Sequence, residues 1–243
     1  MRALFVLFFC SFSSLAIVPP EYDDPIEPWQ SSIEFGWMYD KGNKTTHALN
    51  SVLIIDYDAD SDLTGHIEYN FDYASDDGVP YTKRGRIQLQ GDYALSDEDY
   101  IFLRVDLKKH KFASFAKEQT YSSGYGKTFL DENEHKLSLE IGPGYRYSEP
   151  QKTLQDQTKK KEGIVRSVIK YQRSFTESIK FYLDTSLETG NKNTISNIDA
   201  KLENKILNDL SLVFSFSNTY TKNVPVGAVN NEFTNKINVR YLF

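Results

Sequence analysis

Cysteine is almost absent from this chain: among 243 residues there is one, Cys10. A lone thiol excludes both an internal disulfide framework and a thiolate metal site. Long apolar runs are also scarce. Beyond the first 18 residues nothing approaches the ~18 consecutive apolar residues of a membrane helix. No stretch sustains a helical 3.6-residue period either. Positive charge is short, with 28 Lys and Arg against 34 Asp and Glu and a net charge of −6. That balance argues against nucleic acid as a partner. Mean hydropathy is negative, so composition alone describes a water-soluble protein.

The order of the residues describes something else. From Ser31 onward apolar and polar residues alternate in one segment after another, the period of a strand with two unlike faces. The end of the chain is plainest: Phe233, Ile237, Val239, Tyr241 and Phe243 fall on one parity, and Thr234, Lys236, Asn238 and Arg240 on the other. In another segment Leu63, Ile67, Tyr69, Phe71 and Tyr73 oppose Thr64, His66, Glu68, Asn70 and Asp72. About twelve such segments follow each other, most of ~10–14 residues, where a tilted membrane strand needs ~9–11 and a soluble one has ~5–6. The segment from about Phe115 to Leu130 is glycine-rich and its register cannot be read. A membrane strand meets lipid only at every second residue, so its average composition stays polar. Tyr and Phe, at 16 each, supply the aromatic girdles of such a barrel. The expectation is an all-β antiparallel transmembrane β-barrel of about 12 strands spanning 31–243, with both termini periplasmic.

The first residues agree. Arg2 precedes an apolar stretch from Leu4 to Val18 that is too short to span a bilayer, and Ser14-Leu15-Ala16 offers small residues for cleavage. Residues 1–16 read as a cleaved signal peptide for export to the outer membrane of a Gram-negative cell. Phe9 is too bulky to precede a lipidated cysteine, so Cys10 leaves with that segment. Residues 17–30, proline- and acid-rich from Pro19 to Pro28, read as a periplasmic lead-in.

The connections sort by length and charge. With a periplasmic N-terminus, one set is short and acidic: Asp58 to Asp62, Ser96 to Asp99, Asp131 to Glu134, Phe175 to Glu177, and Asn208-Asp209. The other includes the longer Ser75 to Tyr81, Ser148 to Gly163 and Lys222 to Asn231, and carries lysines. Lys159, Lys160 and Lys161 form a basic patch there, suited to lipopolysaccharide phosphates. Good turn formers account for the acids equally well; they do not account for the lysines.

Few motifs suggest chemistry. Asp56, Asp58, Asp60 and Asp62 resemble the start of a calcium loop, but the glycine at the sixth position and the glutamate at the twelfth are missing. The segment reads as a turn, with no metal or cofactor. A barrel lipase needs a lipid-facing Ser and His in hydrogen-bond reach, and no such pair appears at two-residue spacing. A barrel protease would use acid and His at the rim, where Asp40 and His47 flank the first outer connection. The reading is therefore not an enzyme, with no catalytic residue assigned.

The inward parity is richer. Its charges include Glu68, Arg84, Arg86, Arg104 and Asp106 in the first half. In the second half it holds Glu140, Arg146, Arg166, Lys180, Asp184, Lys201 and Arg240. Both signs occur in similar number. A selective pore tends towards rings of one sign, whereas a balanced set can close on itself as ion pairs across a narrow lumen. Solvated charges around a small pore remain the alternative.

Three stretches carry a family resemblance: Leu139-Glu140-Ile141-Gly142-Pro143-Gly144-Tyr145-Arg146-Tyr147, the Leu89 to Leu103 region with Asp92-Tyr93 and Tyr100-Ile101-Phe102, and the end from Leu187-Glu188-Thr189-Gly190-Asn191 to Tyr241-Leu242-Phe243. Over residues 31 to 243 the chain resembles the salt-induced outer-membrane proteins, a Gram-negative family of undefined biochemical function. The resemblance implies a small outer-membrane barrel linked to osmotic or salt response and supplies no catalytic residue. Val239, Tyr241 and Phe243 resemble the signal read by the barrel-assembly machinery. Pro143, lacking a donor in mid-strand, predicts a kink or bulge. The functional expectation is a narrow channel for small solutes or ions, or else a closed envelope barrel binding lipopolysaccharide or a partner through its lysine-rich loops.

Overall fold

The alternating residues form strands. The computed structural model describes residues 28–42, 44–58, 62–132, 134–151 and 158–243. The proposed signal peptide, nearly all of the lead-in, residues 59–61 of the acidic turn and Lys152 lie outside the described residues. In chain order the strands are β1 Trp29–Lys41, β2 Thr45–Asp58, β3 Leu63–Asp76, β4 Val79–Ala94, β5 Asp99–His110 and β6 Phe115–Glu132. Then come β7 His135–Pro150, β8 Lys160–Ser174, β9 Ile179–Gly190, β10 Thr194–Leu207, β11 Leu210–Thr221 and β12 Asn231–Leu242. Each pairs antiparallel with the next, and β12 returns to β1, so the sheet closes as a barrel.

Register keeps one parity outward all the way round. Ile33 faces Leu53, Leu53 faces Tyr69, Tyr69 faces Ile87 and Ile87 faces Leu107. The last turn of the ring runs from Ile198 opposite Asn218 through Phe214 opposite Ile237 to Tyr241 opposite Ile33. Trp37, Leu103, Phe233 and Ile237 are each more than 60% exposed, whereas Glu140 and Arg146 are at most 1% exposed. This reverses the arrangement of a soluble core and suits a lipid exterior, since a contiguous apolar surface of this size is rare in water. Strands of 12 to 18 residues exceed the ~9–11 that hydrocarbon requires.

Two expected loops are shorter than the sequence suggested. The Ser75 to Tyr81 connection is a two-residue turn, Asp77-Gly78, with φ of +48° and +79°. Asp-Gly tolerates the left-handed conformation that a tight hairpin requires. Within Ser148 to Gly163, β7 continues to Pro150 and β8 starts at Lys160, so Lys160 and Lys161 are strand residues.

Pro143 does not shift the register. Ser122 faces Gly144 and Tyr125 faces Ile141 without a slip, and Pro143 itself faces Val165. The expected bulge is replaced by a close approach of backbones. A Cβ on Gly142 would overlap the Ser123 carbonyl oxygen and lie 2.6 Å from the Gly124 Cα. The pairing of β6 with β7 is interrupted at 123–124 and 142–143 and resumes in the same register, with no added residue. Register shifts occur elsewhere, at Thr128/Leu130 and Ala74/Ser75.

Candidate functional site

The inward parity surrounds two cavities of about 500 and 490 Å³, one in the half nearer the longer loops and one nearer the short turns. They share His66, Glu68, Asp184, Asp199 and Lys201. At that level Lys201 of β10 reaches Glu68 of β3 at 3.5 Å, although five steps round the ring separate the two strands. Asn70 donates to the same carboxylate at 2.6 Å. The ion pair is therefore a bar across the lumen between the two cavities. Beside it, Asp184 and Asp199 face each other across the β9–β10 ladder, a like-charge juxtaposition that costs stability and is not explained by packing.

The walls hold denser networks. Arg146 donates to Glu162 at 2.8 Å, to Glu188 at 3.1 Å and to the Asn193 carbonyl at 2.8 Å. Glu140 accepts from Gln90 at 2.8 Å, Arg166 at 3.2 Å and Lys170 at 2.5 Å. On the opposite side Arg240 bridges Glu34 and Glu203, both at 2.5 Å. Asp72 takes Arg84 at 2.7 Å and Lys236 at 2.6 Å, and Arg86 pairs with Asp106 at 2.6 Å. Deleting one partner of such a buried pair costs about 3–5 kcal/mol, because the other charge is left uncompensated. These networks fix the wall and leave the two cavities as the free space.

All the inward charges read from the sequence lie on the inner parity. Glu140 and Arg146 are sealed into the wall. Arg84, Arg86, Arg104, Asp106 and Arg166 line the loop-half cavity, Lys180 and Arg240 the other, and Glu68, Asp184 and Lys201 both. Arg104 has no carboxylate in ion-pair range among the described residues and donates to Gln90 at 2.8 Å. Sequence reasoning missed Glu34, Glu118 and Glu162. Glu34 sits between Ser32 and Gly36, a face too weakly polar to stand out, although Ile33 and Phe35 beside it fix the parity. Glu162 was hidden in the supposed long loop, and Glu118 in the unreadable sixth segment.

The three lysines of the basic patch diverge. Lys159 pairs with Glu149 at 3.4 Å, and hydrogen bonding with Tyr147, then Glu149, holds its ammonium above the ordinary lysine value. Lys160 lies over the Phe115 ring at 5.3 Å and donates to the Asn223 carbonyl at 3.1 Å. Lys161 lies over the Tyr147 ring at 5.9 Å. Other contacts tie the loops into a partial roof. Ser114 donates to the Val229 carbonyl at 3.0 Å, Gln151 to the His110 carbonyl at 2.7 Å, and Asn193 to the Asn223 carbonyl at 3.1 Å. Asp40 and His47 take opposite faces, since Tyr39 is the residue opposite His47. Val239, Tyr241 and Phe243 point outward and are exposed, with the Tyr241 and Phe243 rings stacked at 6.2 Å.

A family described as "Protein of unknown function, DUF481" matches residues 33–243. The chain belongs to this family. The match covers the barrel from Ile33, the fifth residue of β1, to the terminal phenylalanine. "Uncharacterized protein YdiY" of Escherichia coli (strain K12) is 21% identical over 212 residues, covering 85% of this chain and 81% of that protein. Among solved structures, the NanC porin aligns with a TM-score of 0.54 at 11% identity, over 87% of this chain and 98% of that one. The COG4313 outer membrane channel from Pseudomonas putida F1 aligns with a TM-score of 0.55 at 8% identity, over 93% and 99%. At these identities the likeness is one of fold: a barrel of the outer-membrane type, resembling porins and channels.

Proposed function

We propose that this DUF481 barrel resides in the outer membrane as a narrow, non-enzymatic channel for small hydrophilic solutes or ions. The observation that carries the reading is the pair of charged cavities meeting at the Glu68–Lys201 bar. Two cavities in series, divided by one breakable ion pair of 3.5 Å, form the path of a constricted conduit. The short turns would face the periplasm and the longer loops the outside. The likeness to salt-induced outer-membrane proteins would make osmotic or salt stress the setting in which such a path is used.

Planar-bilayer recording of the folded barrel tests the proposal. The chain should conduct weakly, and Glu68→Ala combined with Lys201→Ala should raise single-channel conductance by about threefold by clearing the constriction. Folded protein that stays at background in both forms would end the channel reading.

The roof of tied loops favours a second reading, a closed envelope barrel that meets lipopolysaccharide phosphates through exposed cations such as Lys44 and Lys159. Absence of conductance, together with lipopolysaccharide binding that weakens in Lys159→Ala, would select it.

A further inference from the structure

The barrel closes along only part of its last seam. Between β1 and β12 the ladder joins Ser32–Phe35 to Val239–Leu242, extended by the mutual bonds of Ser31 and Phe243. It stops at Gly36 and Asn238. Beyond that point both strands continue as strands and keep their other neighbours. β1 remains paired to β2 as far as Lys41 opposite Thr45, and β12 to β11 as far as Asn231 opposite Tyr220. Residues 36–41 and 231–238 thus present backbone edges to each other without pairing among the described residues.

The fork itself is built. Asn238, 1% exposed, donates to Glu34 at 3.1 Å, and the amide oxygens of Asn238 and Asn50 are buried with no hydrogen-bond partner among the described residues. Above it, Met38 and Asp40 have the lumen-facing parity yet are exposed, Met38 by 51%. Trp37, Phe233 and Ile237 flank the opening with apolar surface. Behind it, Lys236 of β12 reaches past β1 and β2 to Asp72 of β3, which also holds Arg84. Two cations share that one carboxylate at the back of an apolar-edged slot. Glu232, 3.8 Å from His110, and Asp40 place carboxylates nearer its outer end, and the loops partly roof the axial mouth.

In hydrocarbon an open sheet edge leaves donors and acceptors that only protein, water or a polar ligand can satisfy. We infer that the loop half of the β1–β12 seam is a lateral opening through which an anionic amphiphile of the surrounding leaflet seats its headgroup at Lys236 and Arg84, with its tail left in the bilayer. Apolar flanks with Lys236 and Arg84 side by side at the back match such a molecule better than a fully hydrophilic solute or a neutral lipid. The inference does not depend on axial conduction, and the two can fail separately.

The test uses 5-doxyl-stearate, an anionic amphiphile with a quencher near its head, in phosphatidylcholine vesicles. A bimane label is placed, in a Cys10→Ser background, at Thr234→Cys on the inner face of β12. Quenching should approach that of a label at Ile237→Cys on the lipid face and should be absent at Ser186→Cys on the far inner wall. Lys236→Met should weaken the Thr234 quenching about fivefold in probe concentration, the response of a lost charge contact with the headgroup. No quenching at Thr234, or equal quenching at Ser186 as for access along the axis, would overturn the inference. If Thr234→Cys does not fold, Glu232→Cys, two residues earlier on the same face, takes its place.

Discussion

The β6–β7 wall and the β12–β1 seam solve the same problem in opposite ways. The first includes the longest strand, β6, and runs from Phe115 opposite Pro150 to Glu132 opposite His135. It passes through a stretch where Gly124 and Gly142 are pressed together, and β7 beside it carries the sealed charges Glu140 and Arg146. The second pairs four residues of each strand before the edges part. The contrast follows from how each pair is made. Neighbours joined by a two-residue hairpin connection find their register locally, whereas β1 and β12 come from the two ends of the chain and must meet after every other strand is placed. Closure is carried by a short apolar and charged clasp: Ile33 with Tyr241, Phe35 with Val239, and Arg240 between Glu34 and Glu203.

The largest effect is expected in the wall. Gly142→Val would place its Cβ against the Ser123 carbonyl and the Gly124 Cα, both backbone atoms held between the paired stretches on either side. The variant should give no heat-modifiable, protease-resistant barrel on refolding. A normally folded Gly142→Val protein would show that the wall is not the rigid member of the comparison.

At the seam the decisive residue is the last. Phe243 exchanges backbone hydrogen bonds with Ser31 and stacks on Tyr241, so it both lengthens a short clasp and completes the outward apolar series Val239, Tyr241 and Phe243 that resembles the assembly signal. Deleting it should lower the amount of barrel in the outer membrane severalfold, with the residual fraction correctly folded. Unchanged membrane levels would remove both the clasp and the signal from consideration.

This division was only partly legible in the sequence. Faces and strand count could be read wherever outward residues are large, as in Leu63 to Tyr73, because lipid exposure enforces a strict period of two. β6 resisted because Ser122, Ser123, Gly124 and Gly126 carry too little polarity contrast to mark a face. At Gly124 and Gly126 the neighbouring backbone and the Tyr100 ring occupy the space where a Cβ would go. The ion pairs could be anticipated as a set but not as partners, since contacts such as Glu68 with Lys201 depend on which strands stand opposite in the closed ring. The parting of β1 from β12 leaves no trace in the pattern at all. Trp37 and Tyr39 alternate with Met38 and Asp40 as a paired strand would, and pairing is a property of two strands rather than of one.

The smallest expected effect tests that last point. Gly36 also has no room for a Cβ, which would meet the Asn238 amide oxygen, the Asn50 amide nitrogen at 2.7 Å and the Ile237 carbonyl oxygen at 2.8 Å. By distance alone Gly36→Ala looks nearly as damaging as a substitution at Gly142. The difference is what surrounds the contact. Two of the three obstacles are the ends of side chains, and the third lies on the β12 edge facing β1, where the ladder between the two strands has already ended. Gly36→Ala should therefore fold, with a loss of about 1–3 kcal/mol in urea unfolding from overpacking relieved by the open edge. A Gly36→Ala barrel as disabled as Gly142→Val would mean that the fork is clamped as firmly as the wall, and the seam could then not part there.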